Sequence, residues 1–207
     1  MLLVEKTFNY FKQRFLRKFL YRYGFGSPVG KNIWEAQFKG GKWDYLYSDQ
    51  EALHYKSIAK FYTQYVKGGV LDVGCGQGVL YHYLKPELSN ADGYLGIDIS
   101  DTAVTQAKAS FPERRFEQMD YDYSKLTERF DVIIFNECLY YFKKPFDKLA
   151  SGISENLKPG GYVIVSIFYY AEHAVLWKRL NEQYQFLAVD EVSNDKGQMW
   201  KVGIFKP

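Results

Sequence analysis

The sequence predicts an α/β domain built on a doubly wound, mostly parallel, seven-stranded sheet that ends in an antiparallel hairpin. Three observations predict it. After Gly68-Gly69, short apolar runs alternate with helical stretches, the pattern of βαβ units. The run Val70-Leu71-Asp72-Val73 leads directly into glycines at 74, 76 and 78 ahead of a helix, as a buried strand entering a tight turn would. Two strand-like runs, 186–192 and 199–205, flank Asn194-Asp195-Lys196-Gly197, a hairpin turn signal.

The elements follow in order. Val4, Phe8, Phe11, Phe15, Phe19 and Tyr23 recur at steps of three or four, which predicts an amphipathic helix over 4–23 ending at Gly24 and Gly26. The stretch 27–42, with Pro28 and several glycines, is expected to be mostly loop. Leu53, Ile58, Phe61, Tyr62 and Tyr65 give one side of a second helix over 49–66. Strands are then expected at 70–74, 94–99, 115–119, 131–136 and 162–168, with helices at about 78–84, 101–110, 146–157 and 172–183. This divides the chain into a helical N-terminal segment and lid, 1–67, and the sheet domain, 68–207.

Composition narrows the function. The 207 residues fit one domain with an appendage. Hydrophobic types make up 47% and charged types 25%, the balance of a folded protein. Cys75 and Cys138 are too few for a disulfide framework, and no CxxC spacing or His/Cys cluster points to a metal. With no apolar run long enough to span a bilayer and no signal-peptide pattern, a cytoplasmic protein is expected. The formal charge of +3 is unevenly placed: residues 1–26 hold six Lys/Arg against Glu5 alone, +5, leaving −2 on the remainder. The body is therefore not expected to bind nucleic acid.

The chemistry centres on the glycine turn, where a ligand can approach the main chain at the start of a helix. The nicotinamide fingerprint places its third glycine at the sixth position, where Val79 stands; here that glycine is Gly78. This weakens a nicotinamide reading. Twenty residues beyond Gly78, Asp98 ends the second strand, placed to accept both hydroxyls of a ribose. Asp120, between Met119 and Tyr121 at the end of the third, could accept from an adenine amino group.

In combination these features resemble the class I S-adenosylmethionine-dependent methyltransferases, whose glycine-rich motif, ribose acid, adenine acid and late Leu-Lys-Pro-Gly-Gly turn match residues 70–80, 98, 120 and 157–161. The resemblance covers about residues 68–207 and implies a Rossmann-like sheet with S-adenosylmethionine as cofactor. It implies that Asp72, Gly74, Cys75, Gly76 and Gly78 hold the methionine end, Asp98 and Ile99 the ribose, and Met119, Asp120 and Tyr121 the adenine, with Asn136 beneath and Trp43 covering. Residues 34–55 also resemble, more loosely, the lead-in of small bacterial methyltransferases of polysaccharide and secondary-metabolite pathways.

Methyl transfer from a sulfonium needs an in-line nucleophile and, for a hydroxyl acceptor, a group to take its proton. Glu137 and Tyr141 follow the fourth strand, the resembling enzymes often carrying histidine where Tyr140 and Tyr141 stand, and His54 lies in the lead-in near the expected cleft. These three are the catalytic candidates. The Asn-Pro-Pro motif of amine-methylating relatives is not completed after Asn136, which favours a saccharide or secondary-metabolite hydroxyl over an amine. A non-catalytic cofactor-binding protein stays as the alternative class. The aromatic lead-in, with Trp34, Trp43, Tyr45 and Tyr47, is expected to act as a lid against water. The basic N-terminal helix has three readings: packing on the domain, pairing in a homodimer, or peripheral contact with an anionic membrane.

Overall fold

A computed structural model describes residues 16–88 and 93–207. Its seven strands are β1 (Val70–Val73), β2 (Tyr94–Asp98), β3 (Arg115–Gln118), β4 (Phe130–Asn136), β5 (Leu157–Phe168), β6 (Phe186–Ser193) and β7 (Met199–Phe205). They form one sheet in the order β3-β2-β1-β4-β5-β7-β6. The first five are parallel, and β7 inserts antiparallel between β5 and β6. The order reverses between β1 and β4, so a crevice opens at their carboxyl ends, where open α/β sheets bind ligands.

The helices are α1 (16–22), α2 (Lys31–Lys39), α3 (Ala52–Tyr65), α4 (Val79–Leu84), α5 (Asp101–Ser110), α6 (Pro145–Asn156) and α7 (Ala174–Gln183). Alternate strand residues face opposite sides. Val70, Val132, Ile134, Ile164 and Ile204 pack with Ile58 and Phe61 of α3, Leu80 of α4 and Val104 of α5. Leu71, Val73, Ile133, Phe135 and Val165 pack with Leu149 of α6, Trp177 of α7 and Tyr21 of α1. Covered on both faces, the inner strands are apolar nearly throughout, which is why they read as short continuous apolar runs.

Two expectations need correction. The stretch 27–42 is not mostly loop: α2 occupies Lys31–Lys39, and the flanking glycines that suggested loop lie at its two caps, Gly30 and Gly40. Helix α3 packs into the sheet's own core. The Leu-Lys-Pro-Gly-Gly segment lies inside β5: between the pairs Phe130↔Leu157 and Val132↔Tyr162 the register shifts, and Gly160 takes a φ of +79° at that bulge.

The expected helix over 4–23 falls outside the described residues up to residue 15. Within the described part, the buried face differs from the expected stripe. Tyr21 is enclosed against His173, with ring centroids 5.6 Å apart, whereas Phe19 is 52% exposed and packs on exposed Tyr23. Gly26 N–H donates to Lys143 O and Ser27 N–H to Tyr140 O, tying this segment to the loop after β4. No described helix is long and apolar enough to cross a membrane.

Candidate active site

A cavity of about 530 Å³ opens at the carboxyl ends of β1, β2 and β4, covered by α2 and the 3₁₀ turn Asp44–Tyr47. Its floor is the turn after β1. Gly74 and Cys75 both donate their N–H groups to Ile97 O, at 2.8 and 3.0 Å, and Cys138 Sγ donates to Val73 O at 2.9 Å. Gly74 has a φ of +73°, and a Cβ there would lie 2.7 Å from the Cys138 Cβ, so only glycine lets the backbone turn this close to the β4 loop.

Three acids stand at the strand ends. Asp72 is fully buried; Tyr94 donates its hydroxyl to Oδ2 at 2.6 Å, while Oδ1 has no partner among the described residues. Burial raises its pKa to about 7. At the end of β2, Asp98 Oδ2 accepts from Gly76 N–H at 2.9 Å and Oδ1 from Ser100 N–H at 2.8 Å. Burial raises Asp98 to about 6, against the pull of those two donors. Asp120 Oδ1 accepts from Asp122 N–H at 3.1 Å in a local turn, and Asp120 lines the cavity together with Met119 and Tyr121.

The cover is fastened by polar contacts. Glu35 of α2 accepts from Asp101 N–H and Thr102 N–H, capping α5 from another element, and Lys31 pairs with Asp101 at 2.7 Å. Gln77 in the glycine turn donates to Asp44 Oδ1 at 2.9 Å, and Tyr47 donates its hydroxyl to Gln77 O at 2.9 Å. On the inside, Trp34 meets Tyr141 edge-on at 5.0 Å and Trp43 at 5.7 Å.

Glu137 takes a φ of +55°, rare for a residue with a side chain, which turns its carboxylate back toward the end of β5. Oε1 accepts from Ser166 Oγ at 3.0 Å; Oε2 accepts from Phe168 N–H at 2.8 Å and from the Tyr140 hydroxyl at 3.1 Å. Burial outweighs these donors and raises its pKa to about 7. Tyr141 is also raised by burial, so its phenol keeps its proton near neutral pH.

Residues 48–201 match the family described as methyltransferase domain. The chain belongs to that family. The match begins upstream of the glycine turn, in the segment ahead of α3. Among curated proteins, the chain is similar to the mRNA cap guanine-N(7) methyltransferase of Schizosaccharomyces pombe, 32% identical over 47% of this chain and 31% of that protein. It is also similar to a dTDP-3-amino-3,4,6-trideoxy-alpha-D-glucopyranose N,N-dimethyltransferase of Streptomyces venezuelae, 24% identical over 50% of this chain and 44% of that one. The matched segment spans less than half the length of these relatives. Among solved structures, the N-methyltransferase NodS of Bradyrhizobium japonicum aligns with a TM-score of 0.71 at 15% identity, over 85% of this chain and 97% of that one. The [4+2]-cyclase SpnF aligns at 0.69 with 15% identity, over 89% and 99%. At these identities the structural likeness speaks for the fold alone.

In this methyltransferase domain, the cavity brings together Trp43, Asp72, Gly74, Cys75, Gly76, Asp98, Ile99, Met119, Asp120, Tyr121, Asn136, Glu137 and Tyr141. Two expected residues lie elsewhere. His54 is 0% exposed, stacked on Trp200 at 5.0 Å and close to Tyr55, with neither ring nitrogen partnered among the described residues. Burial lowers its pKa to about 3, so it is a neutral core residue and not a cavity base. Gly78 starts α4 with a φ of +82°, and a Cβ there would press on Phe111 at 3.0 Å; it serves the turn and the packing beneath it, not the cavity surface. Sequence reasoning missed Glu35 and Gln77, whose partners come from distant segments, and Glu51 on the cavity wall. The Trp34/Phe38 spacing was the available signal for α2.

The buried, half-satisfied Asp72 makes the site's charge testable. A carboxyl whose folded pKa is raised to about 7 favours the protonated folded state, so its contribution is complete at low pH and is lost as pH rises toward 7. Asp72→Asn removes that loss. Urea unfolding of the two ligand-free proteins should show the Asn variant gaining on the wild type from pH 5 to pH 8; parallel curves would overturn the raised pKa.

Proposed function

We propose that this chain transfers a methyl group from S-adenosylmethionine to a small molecule, at a hydroxyl of a saccharide or secondary metabolite. The observation that carries this reading is that Asp72, Asp98 and Glu137, three carboxyls of separate strand ends, line one cavity. The residues fit the cofactor. Asp72 Oδ1 is a buried acceptor waiting for a donor, as an amino-acid ammonium would supply, and the glycine turn leaves space that a Cβ would take. Asp98 would receive the ribose hydroxyls, Asp120 the adenine amino group, and Met119 and Tyr121 would flank the ring.

S-adenosylmethionine, when bound, supplies a methyl group activated on a sulfonium. The chain's residues then need to orient the acceptor, accept its proton and exclude water. Glu137 is suited to the proton: with a pKa of about 7 it is substantially ionised at neutral pH, and Ser166, Phe168 N–H and Tyr140 fix its direction. Trp34, Trp43 and the protonated Tyr141 form the dry wall against which a flat or sugar-like acceptor would lie.

Two measurements test the reading. S-adenosylhomocysteine should raise the melting temperature while NAD does not, since a ligand of the folded state stabilises it by mass action; equal shifts would sink the cofactor assignment. Hydroxylated acceptors incubated with labelled cofactor should then yield O-methylated product by mass spectrometry. Binding without any product would favour the non-catalytic alternative, and methylated nitrogen would favour the amine reading.

A further inference from the structure

We propose that Glu51 is an acceptor-recognition residue whose carboxylate binds a protonated amino group of the methyl acceptor. This rests on the methyl-transfer reading and assigns a chemical class to the acceptor in the same site.

Glu51 lies just ahead of α3 and lines the cavity, yet it is only 6% exposed. It does not turn back to cap the helix, and among the described residues its carboxylate has no hydrogen-bond or ion-pair partner. Exposed Lys196, in the β6–β7 turn, favours its charge only from a distance. A carboxylate largely withdrawn from bulk water onto a cavity wall, with no donor from the described residues, suits a donor brought by a ligand.

The surroundings select the sign of that ligand. Glu51 and Glu137 are close enough for the charge of Glu51 to raise Glu137, and both raise Tyr45, together with Tyr141 and Tyr170. This end of the cavity therefore presents two carboxyls among aromatic rings. The cavity-lining lysines lie toward the adenine side, Lys31 paired with Asp101 and Lys143 beside Tyr123. An alkylammonium gains a charge-assisted hydrogen bond and ring faces there, whereas an anionic group meets repulsion from two acids.

The test uses three probes that share a 4-hydroxyphenyl ring and differ in charge: tyramine, N-acetyltyramine and 4-hydroxyphenylacetate. Calorimetry on the protein saturated with S-adenosylhomocysteine should find tyramine bound on the order of tenfold tighter than N-acetyltyramine, with 4-hydroxyphenylacetate weakest. Glu51→Gln should erase the preference for tyramine while leaving N-acetyltyramine and S-adenosylhomocysteine binding unchanged. Tyramine binding no better than its neutral or anionic counterparts, or a preference that survives in E51Q, would overturn the assignment. The order of the three probes on the wild type decides even if E51Q does not fold. Failure of the wild type to bind S-adenosylhomocysteine would instead sink the methyl-transfer reading, which separates the two.

Discussion

Glu137→Gln should lower methyl-transfer turnover by on the order of 10²–10⁴-fold, the range typical of a lost general base, while S-adenosylhomocysteine affinity stays unchanged. The substitution is mild for the fold. A glutamine oxygen in place of Oε2 can still accept from Phe168 N–H and the Tyr140 hydroxyl, and its amide can donate to Ser166 Oγ in place of Oε1. What Gln cannot do is take a proton. The pH profile supplies a second readout: the wild-type rate should climb as Glu137 ionises through about pH 7 and level off above it. Turnover in E137Q within a few-fold of wild type would remove Glu137 from proton transfer, and with His54 buried and Tyr141 protonated the proton would then pass to solvent.

Asp98→Ala should cost roughly 1–3 kcal/mol of cofactor affinity, about five- to 150-fold, because it strands two backbone donors as well as removing the ribose acceptor. Gly76 N–H and Ser100 N–H both point at this carboxylate, so it holds the glycine turn and the start of α5 in one arrangement. Asp98→Asn keeps one acceptor oxygen and should fall between. Since burial raises Asp98 to about 6, wild-type affinity for S-adenosylhomocysteine should weaken as the pH drops below that value and the carboxylate is protonated. Calorimetry showing equal affinity in D98A would take Asp98 off the ribose.

Much of this was readable before the fold was known, for a local reason. The strands after Gly68 are covered on both faces, so each appears as a short apolar run, and six of the seven expected positions agree with the strands to within a residue, β5 alone starting earlier, at Leu157. Asn194 and Gly197 close the hairpin by Asn194 N–H to Gln198 O and Gly197 N–H to Asn194 O, contacts within one turn of chain. Helix α2 was obscured because its glycines mark its ends and resemble breakers. In α1, periodicity alone could not say that Tyr21 would turn inward and Phe19 outward.

The sequence by itself determined the fold class, the glycine turn and the acids at the ends of β1, β2 and β3, because each is a relation between neighbours along the chain. Only the tertiary structure decided what those and other polar groups meet. Glu137 is aimed by Ser166 and Phe168 from β5, and α5 is capped by Glu35 from α2. His54 is sealed away by Trp200 of the last strand, whereas Glu51, three residues earlier, is left on the cavity wall without a donor among the described residues. Hydrogen-bond satisfaction and desolvation set protonation, and both depend on groups brought together from distant parts of the chain.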